Sequence, residues 1–204
     1  LKYYLVKVGN TVVLVPYKQE HVERYHEWMK SPFLQEMTAS EPLSLEEEYE
    51  MQRTWHTDDD KCTFILLALP PNSQDKSTEE IAQEGKMIGD INFFLNDIDD
   101  PTFAEIEIMI AEPDYRRRGL GSEALKLMMN YGIQELGVTK FQAKISLKNE
   151  ASISLFRDKL GYIEEGISEV WQEMALGMQV NDSLKASLEK ETSHAKVGSY
   201  IRSD

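Results

Sequence analysis

Residues 103–136 constrain this chain more than any other stretch. Phe103-Ala104-Glu105-Ile106-Glu107-Ile108-Met109-Ile110-Ala111 alternates in the manner of a strand. Arg116-Arg117-Arg118-Gly119-Leu120-Gly121 then forms a basic glycine turn, and 122–136 has the apolar spacing of an amphipathic helix. A strand, a glycine turn and a helix start together make an anion cradle, because the first N–H groups of a helix lack intrahelical partners and carry partial positive charge. Glycines let backbone close on a diphosphate, and arginines add fork-shaped donors. The group that suits this cradle is the pyrophosphate of a nucleotide-type cofactor. No Gly-x-x-x-x-Gly-Lys-Ser/Thr is present, which argues against a Walker loop for ATP. No Gly-x-Gly-x-x-Gly is present, which argues against a dinucleotide site.

The rest of the chain can be placed around this unit. Its 204 residues, 41% hydrophobic, suffice for one domain with a full core. A short strand or arm over 1–8 turns at Gly9-Asn10, and 11–16 is a β-branched strand. Residues 20–30 form a helix that Ser31-Pro32 stops. Ser44-Leu45-Glu46-Glu47 is a capping box that opens a second helix, to about Thr57. A buried strand over 61–69, a loop insertion over 70–85 and a strand over 87–95 follow. After the helix of 122–136 come a strand at 141–147, a short helix, and strands near 162–168 and 170–178. The domain is set at 1–180, and 181–204 is a polar tail, helical or disordered.

Composition excludes several functions. Asp and Glu outnumber Lys and Arg by 36 to 22, a formal charge of −14, which argues against a nucleic-acid partner. No apolar run is long enough to span a bilayer, and no targeting pattern leads the chain, although Leu1 suggests that the native start lies upstream. The single cysteine, Cys62, precludes an internal disulfide framework and suits the cytosol, so the expected location is cytoplasmic. It lies in an apolar strand and reads as a buried thiol. Four scattered histidines show no metal-ligand spacing, and no metal is expected.

The spacing Arg-x-x-Gly-x-Gly, met at Arg116, Gly119 and Gly121, resembles motif A of the GNAT superfamily of N-acetyltransferases. A second block, Asn149-Glu150-Ala151-Ser152-Ile153-Ser154-Leu155-Phe156-Arg157-Asp158-Lys159-Leu160-Gly161-Tyr162, resembles its motif B. Strings in the N-terminal half narrow the likeness: Val13-Leu14-Val15-Pro16-Tyr17, Arg24-Tyr25-His26-Glu27-Trp28-Met29-Lys30, Thr38-Ala39-Ser40-Glu41-Pro42-Leu43 and Lys61-Cys62-Thr63-Phe64-Ile65. With Met109-Ile110-Ala111-Glu112-Pro113 and Thr139-Lys140-Phe141, they are similar to the alpha/beta-tubulin N-acetyltransferase (N-acetyltransferase 9) subfamily.

The resemblance implies an α/β (α+β) fold: a mixed central sheet of about seven strands, helices on both faces, and a splay between strands 103–111 and 141–147. It implies acetyl-CoA as cofactor and transfer to an amine of a protein, tubulin by the subfamily name, by direct attack in a ternary complex. A small cationic amine as acceptor, suggested by the acidic surface, remains an alternative. So does a non-catalytic acetyl-CoA-binding, microtubule-associated protein. Oligomeric state stays open.

The same resemblance assigns roles. Backbone groups of Ile108, Met109, Ile110 and Ala111 would pair with the pantetheine arm as an added strand would, with an oxyanion donor near Met109 or Ile110. Arg116, Arg117, Arg118, Gly119, Leu120, Gly121 and Ser122 would hold the pyrophosphate, Arg117 being the spacer. Asn149 would bind pantetheine or cap the next helix, with Ser152 and Phe156 beside the cofactor. Strand parity puts Glu105 and Glu107 on the face opposite Ile106, Ile108 and Ile110. Glu105 ranks first and Glu107 second as base, unless both only face solvent or a substrate cation. Many superfamily members carry a motif B tyrosine that protonates the leaving thiolate, but this chain has Phe156 there. Tyr162, Tyr131 or water could serve instead, or the thiolate leaves unassisted; Tyr162 reads first as a core aromatic.

Overall fold

The computed structural model describes residues 5–200; residues 1–4 of the expected first strand and residues 201–204 lie outside the described residues. Strand β1 (Leu5–Val8) and strand β2 (Val12–Pro16) are followed by helices α1 (Val22–Met29), α2 (Pro32–Met37) and α3 (Leu45–Thr57). Then come β3 (Lys61–Ala68), α4 (Thr78–Glu84), β4 (Lys86–Phe94), β5 (Phe103–Ile110) and α5 (Leu120–Leu136). The chain continues through β6 (Lys140–Ser146), α6 (Glu150–Ser154), β7 (Ile163–Ser168), β8 (Glu173–Gln179), α7 (Asp182–Thr192) and β9 (Lys196–Ser199).

All nine strands form one sheet in the order β7-β8-β6-β5-β4-β3-β2-β1-β9, and only the β5–β6 pair is parallel. Strand β2 is buried at every position, which suits a β-branched run covered on both faces. One face packs Leu14, Phe64, Ile91 and Ile106 against α5, α6 and Leu188 of α7. The other packs Val13, Val15, Ile65 and Leu67 against Val22, Tyr25 and Trp28 of α1, Leu34 of α2 and Ile81 of α4.

Three local readings need correction. Ser31-Pro32 ends α1 but also starts α2: the Ser31 hydroxyl accepts from the Leu34 N–H, and Pro32 takes a first-turn position that needs no N–H. Residues 70–85 are not loop throughout, because Ser77 and Glu80 form a reciprocal capping box that opens α4. The polar tail is helical in part, as one of its two expected states has it, in α7, capped by Asn181, but it also holds β9, which pairs with β1 at the sheet edge. Among the described residues the sheet therefore has nine strands rather than about seven.

Candidate active site

The site begins where two neighbouring strands part. Strands β5 and β6 are paired at Phe103↔Lys140, Ala104↔Phe141 and Glu105↔Gln142 and no further. Beyond Glu105, β5 stays on β4 as far as Ile110, and β6 stays on β8 as far as Ser146. That edge of β5 thus carries no strand over its last residues. A close approach helps to fix it: a Cβ on Gly89 of β4 would lie 1.8 Å from the Met109 carbonyl oxygen, so only glycine admits β5 there. The register of β4 on β3 shifts at this point, and the Ile88 carbonyl accepts from both Ala111 and Glu112 N–H groups.

A cleft of about 410 Å³ opens at the splay. Among the candidate residues, Glu105, Glu107, Ile108, Met109, Asn149, Ser152 and Phe156 line it. Its far wall comes from α2 and the following turn, Tyr25 of α1 and Trp55 of α3. Ile110 and Ala111 lie just past it, at the end of β5. Asn149 caps α6 through its side-chain oxygen, which accepts from the Ser152 N–H at 3.2 Å. Helix α6 continues into a π-helical turn over Leu155–Lys159 that carries Phe156, a local irregularity often met at functional sites.

The glycine turn has a different arrangement from a simple ring of arginines. Arg116 does not project outward: its Nε donates to the Ile110 carbonyl at 2.8 Å and its guanidinium to the Ala111 carbonyl at 2.9 Å. It therefore ties the turn to the end of β5. Arg117 has left-handed backbone (φ 57°) and is exposed, as is Arg118, whose guanidinium donates to the Asp114 carbonyl. Gly119, at the N-cap of α5, has φ 85°, and no side chain caps that helix. Open space lies where its Cβ would be. The α5 start, with Leu120, Gly121 and Ser122, therefore offers backbone N–H groups to an outside acceptor. The Cβ position of Gly121 lies 3.5–3.9 Å from Leu155, Ile108 and Ile110, so the turn adjoins the splay. An extended ligand with a diphosphate at one end fits this path.

The cleft face of the sheet is polar where most of its neighbours are apolar. Glu107 lies opposite Asn92 on β4, which lies opposite Thr63 on β3. The Thr63 hydroxyl donates to Asn92 Oδ1 at 2.5 Å, and Asn92 Nδ2 donates to Asp90 Oδ2 at 2.8 Å. Asp90 is 3% exposed, and burial raises its carboxyl to about 6. Glu107 is raised to about 7, chiefly by burial and then by the charges of Glu105 and Asp90. Lys61 opposes that trend and is itself lowered to about 8 by burial. Glu105 is held differently, by Lys144 of β6 at 2.7 Å.

Two of the candidate proton donors are absent from the cleft lining. Tyr162 is buried behind Phe156, its ring edge-on at 5.0 Å and its hydroxyl on the Met129 sulfur, and burial raises its pKa. Tyr131 packs edge-on against Phe64 in the core. Sequence reasoning also passed over Asp90, Asn92 and Lys61 as site residues. Their signal was an Asp and an Asn two apart in a strand that is otherwise largely apolar, and a Lys at a strand start six residues after a Trp.

Comparison with known proteins agrees with this geometry. The model of the acetyltransferase (GNAT) domain matches residues 11–163. The chain is 51% identical to alpha/beta-tubulin-N-acetyltransferase 9 of Homo sapiens, over 95% of this chain and 92% of that protein. It is 51% identical to the Mus musculus protein of the same name, over 95% of this chain and 78% of the other. Among solved structures, spermidine N-acetyltransferase from Vibrio cholerae, in complex with CoA and spermine, superposes with a TM-score of 0.69 at 17% identity. That match covers 87% of this chain and 99% of that one.

Proposed function

The chain belongs to the GNAT acetyltransferase family, and from that premise we propose that it moves an acetyl group from acetyl-CoA to an amine of a protein, tubulin by kinship with its half-identical relatives. The observation that carries this reading is the splay of β5 from β6 next to an uncapped α5 start. Acetyl-CoA supplies an activated acetyl group as a thioester. The α5 start at 119–122 binds the pyrophosphate, and the free edge of β5 at 108–110 orients the pantetheine. A backbone N–H near Met109 or Ile110 would serve as donor to the thioester oxygen. Asn149, whose oxygen is spent on capping, offers its Nδ2.

Glu107 is the better base of the two glutamates. An amine must lose a proton to attack, and a carboxylate near neutrality accepts one more readily than an ordinary glutamate. Glu107 meets that need at about 7, whereas Glu105 is tied to Lys144. A cleft that joins base and cofactor edge supports direct attack in a ternary complex, and Cys62, buried in the core, does not line it. With Tyr162 and Tyr131 outside the cleft lining and Phe156 unable to donate, none of these rings would protonate the departing thiolate, which would take its proton from water or leave unassisted.

The acidic cleft favours a second reading, a small cationic amine as acceptor. Labelled acetyl-CoA with tubulin separates the readings. The proposal expects label on tubulin, with the rate falling by about 10²–10⁴ in Glu107→Gln. Transfer no greater than that of a Gly119→Trp control rejects it. Retained binding of CoA without transfer to any amine would instead support a non-catalytic role.

A further inference from the structure

Five carboxylates line the cleft, Glu36, Asp90, Glu105, Glu107 and Glu173, against two lysines, Lys61 and Lys144. Taken with a net charge of −14, such a cleft should draw small polycations. Most of these acids are met by the chain itself. Lys148 holds Glu36, and Lys144 holds Glu105. Asp90 and Glu107 feel the charge of Lys61.

Lys61 is the unusual member. It is only 7% exposed. Its Nζ lies 3.2 Å from the centre of the Trp55 ring and 4.0 Å from that of Phe94. Two aromatic faces with two carboxylates nearby form a receptor for an alkylammonium ion. The ion found in it is the end of a side chain rooted in β3.

We infer that Lys61 is a specificity-determining residue: it fills the alkylammonium slot formed by Trp55, Phe94, Asp90 and Glu107, and so bars linear polyamines from the acceptor end of the cleft. This rests on the acetyltransferase reading for its biological sense, but the slot itself is independent of the cofactor. A polyamine binds by placing several ammonium groups on several anionic or aromatic points at once. With one such point taken and Glu105 already paired with Lys144, a free polyamine meets two like charges. An amine carried by a protein does not depend on that slot, since contacts outside the cleft can hold it.

The test is calorimetric titration of spermidine into the full chain, with and without CoA, for the native protein, Lys61→Ala and Lys61→Met. Lys61→Ala empties the slot and should bind spermidine at least about tenfold tighter than the native chain. Lys61→Met keeps the volume but removes the charge, and should gain about threefold. Should the alanine variant not fold, the methionine variant decides alone. The inference is overturned if the variants, melting cooperatively, bind spermidine no tighter than the native chain. It is also overturned if the native chain already binds spermidine as tightly as they do. A native chain that takes up no CoA counts against the acetyltransferase reading, while the titrations without CoA still decide this one.

Discussion

Glu107 and Lys61 share one half-closed space, and burial drives each toward its neutral form. For Glu107 this has a kinetic consequence. The rate with saturating acetyl-CoA should rise with pH through an apparent pKa near 7. Glu107→Gln should flatten that rise, and Glu105→Gln should keep it. The charges of Glu105 and Asp90 help to raise Glu107, so Glu105→Gln and Asp90→Asn should each move the inflection to lower pH without removing it. A profile flattened by Glu105→Gln alone would transfer the role of base to Glu105. Glu48 of α3 tests burial without catalysis. It is 1% exposed, its Oε2 has no hydrogen-bond partner among the described residues, and burial raises it to about 7. An acid with a raised folded pKa favours the fold while protonated, and that support is lost as pH climbs from the ordinary glutamate range to about 7. Glu48→Gln should therefore melt about 2–6 °C higher than the native chain at pH 8, with the gap closing at pH 5. An equal difference at both pH values would contradict this cause.

At the scale of elements, the sequence signals were uneven in instructive ways. Strand β5, the turn and α5 were legible because each has its own period and the glycines punctuate them. Helix α3 is legible from its capping box, whereas the same pattern at Ser77 and Glu80 stands in a polar stretch that reads as loop. Only Ile81 and Ala82 are buried in α4, so no apolar period reinforces its cap. The splay came from family resemblance, since pairing that stops at Glu105 depends on what β6 does on its other side. Tyr162 is the core aromatic that its place in the chain also suggests, and not a donor in the cleft, because a motif position does not say which way a ring turns. The slot around Lys61 joins α3, β3, β4 and β5, and local pattern does not reveal such a meeting. Gly89 gives this scale its prediction. Gly89→Ala sets a methyl group against the Met109 backbone, which cannot yield as a flexible side chain can. It should cost about 3 kcal/mol or more in stability and weaken CoA binding as β5 shifts. An alanine variant with native melting temperature and native CoA affinity would refute the role given to that contact.

The whole molecule holds the site by closing around α5. Glu123, in its first turn, accepts from the Asn10 and Thr11 N–H groups and the Thr11 hydroxyl, and contacts His194 at 3.0 Å. One carboxylate thus ties the helix that begins at the anion site to the β1–β2 turn and to the corner before β9. Glu123→Ala should cost on the order of 2 kcal/mol, seen as a fall of about 4–8 °C in melting temperature. An unchanged melting temperature would contradict that role. No helix among the described residues is long and apolar enough to cross a membrane. The most direct test of the account is amide hydrogen exchange with and without CoA. Exchange should slow in two separate stretches at once, 108–110 on the free edge of β5 and 119–122 at the start of α5, with β1 and β9 unchanged. CoA that leaves both stretches exchanging as before, or that protects only one of them, would contradict the claim that the cofactor runs from the helix start into the gap between the parted strands.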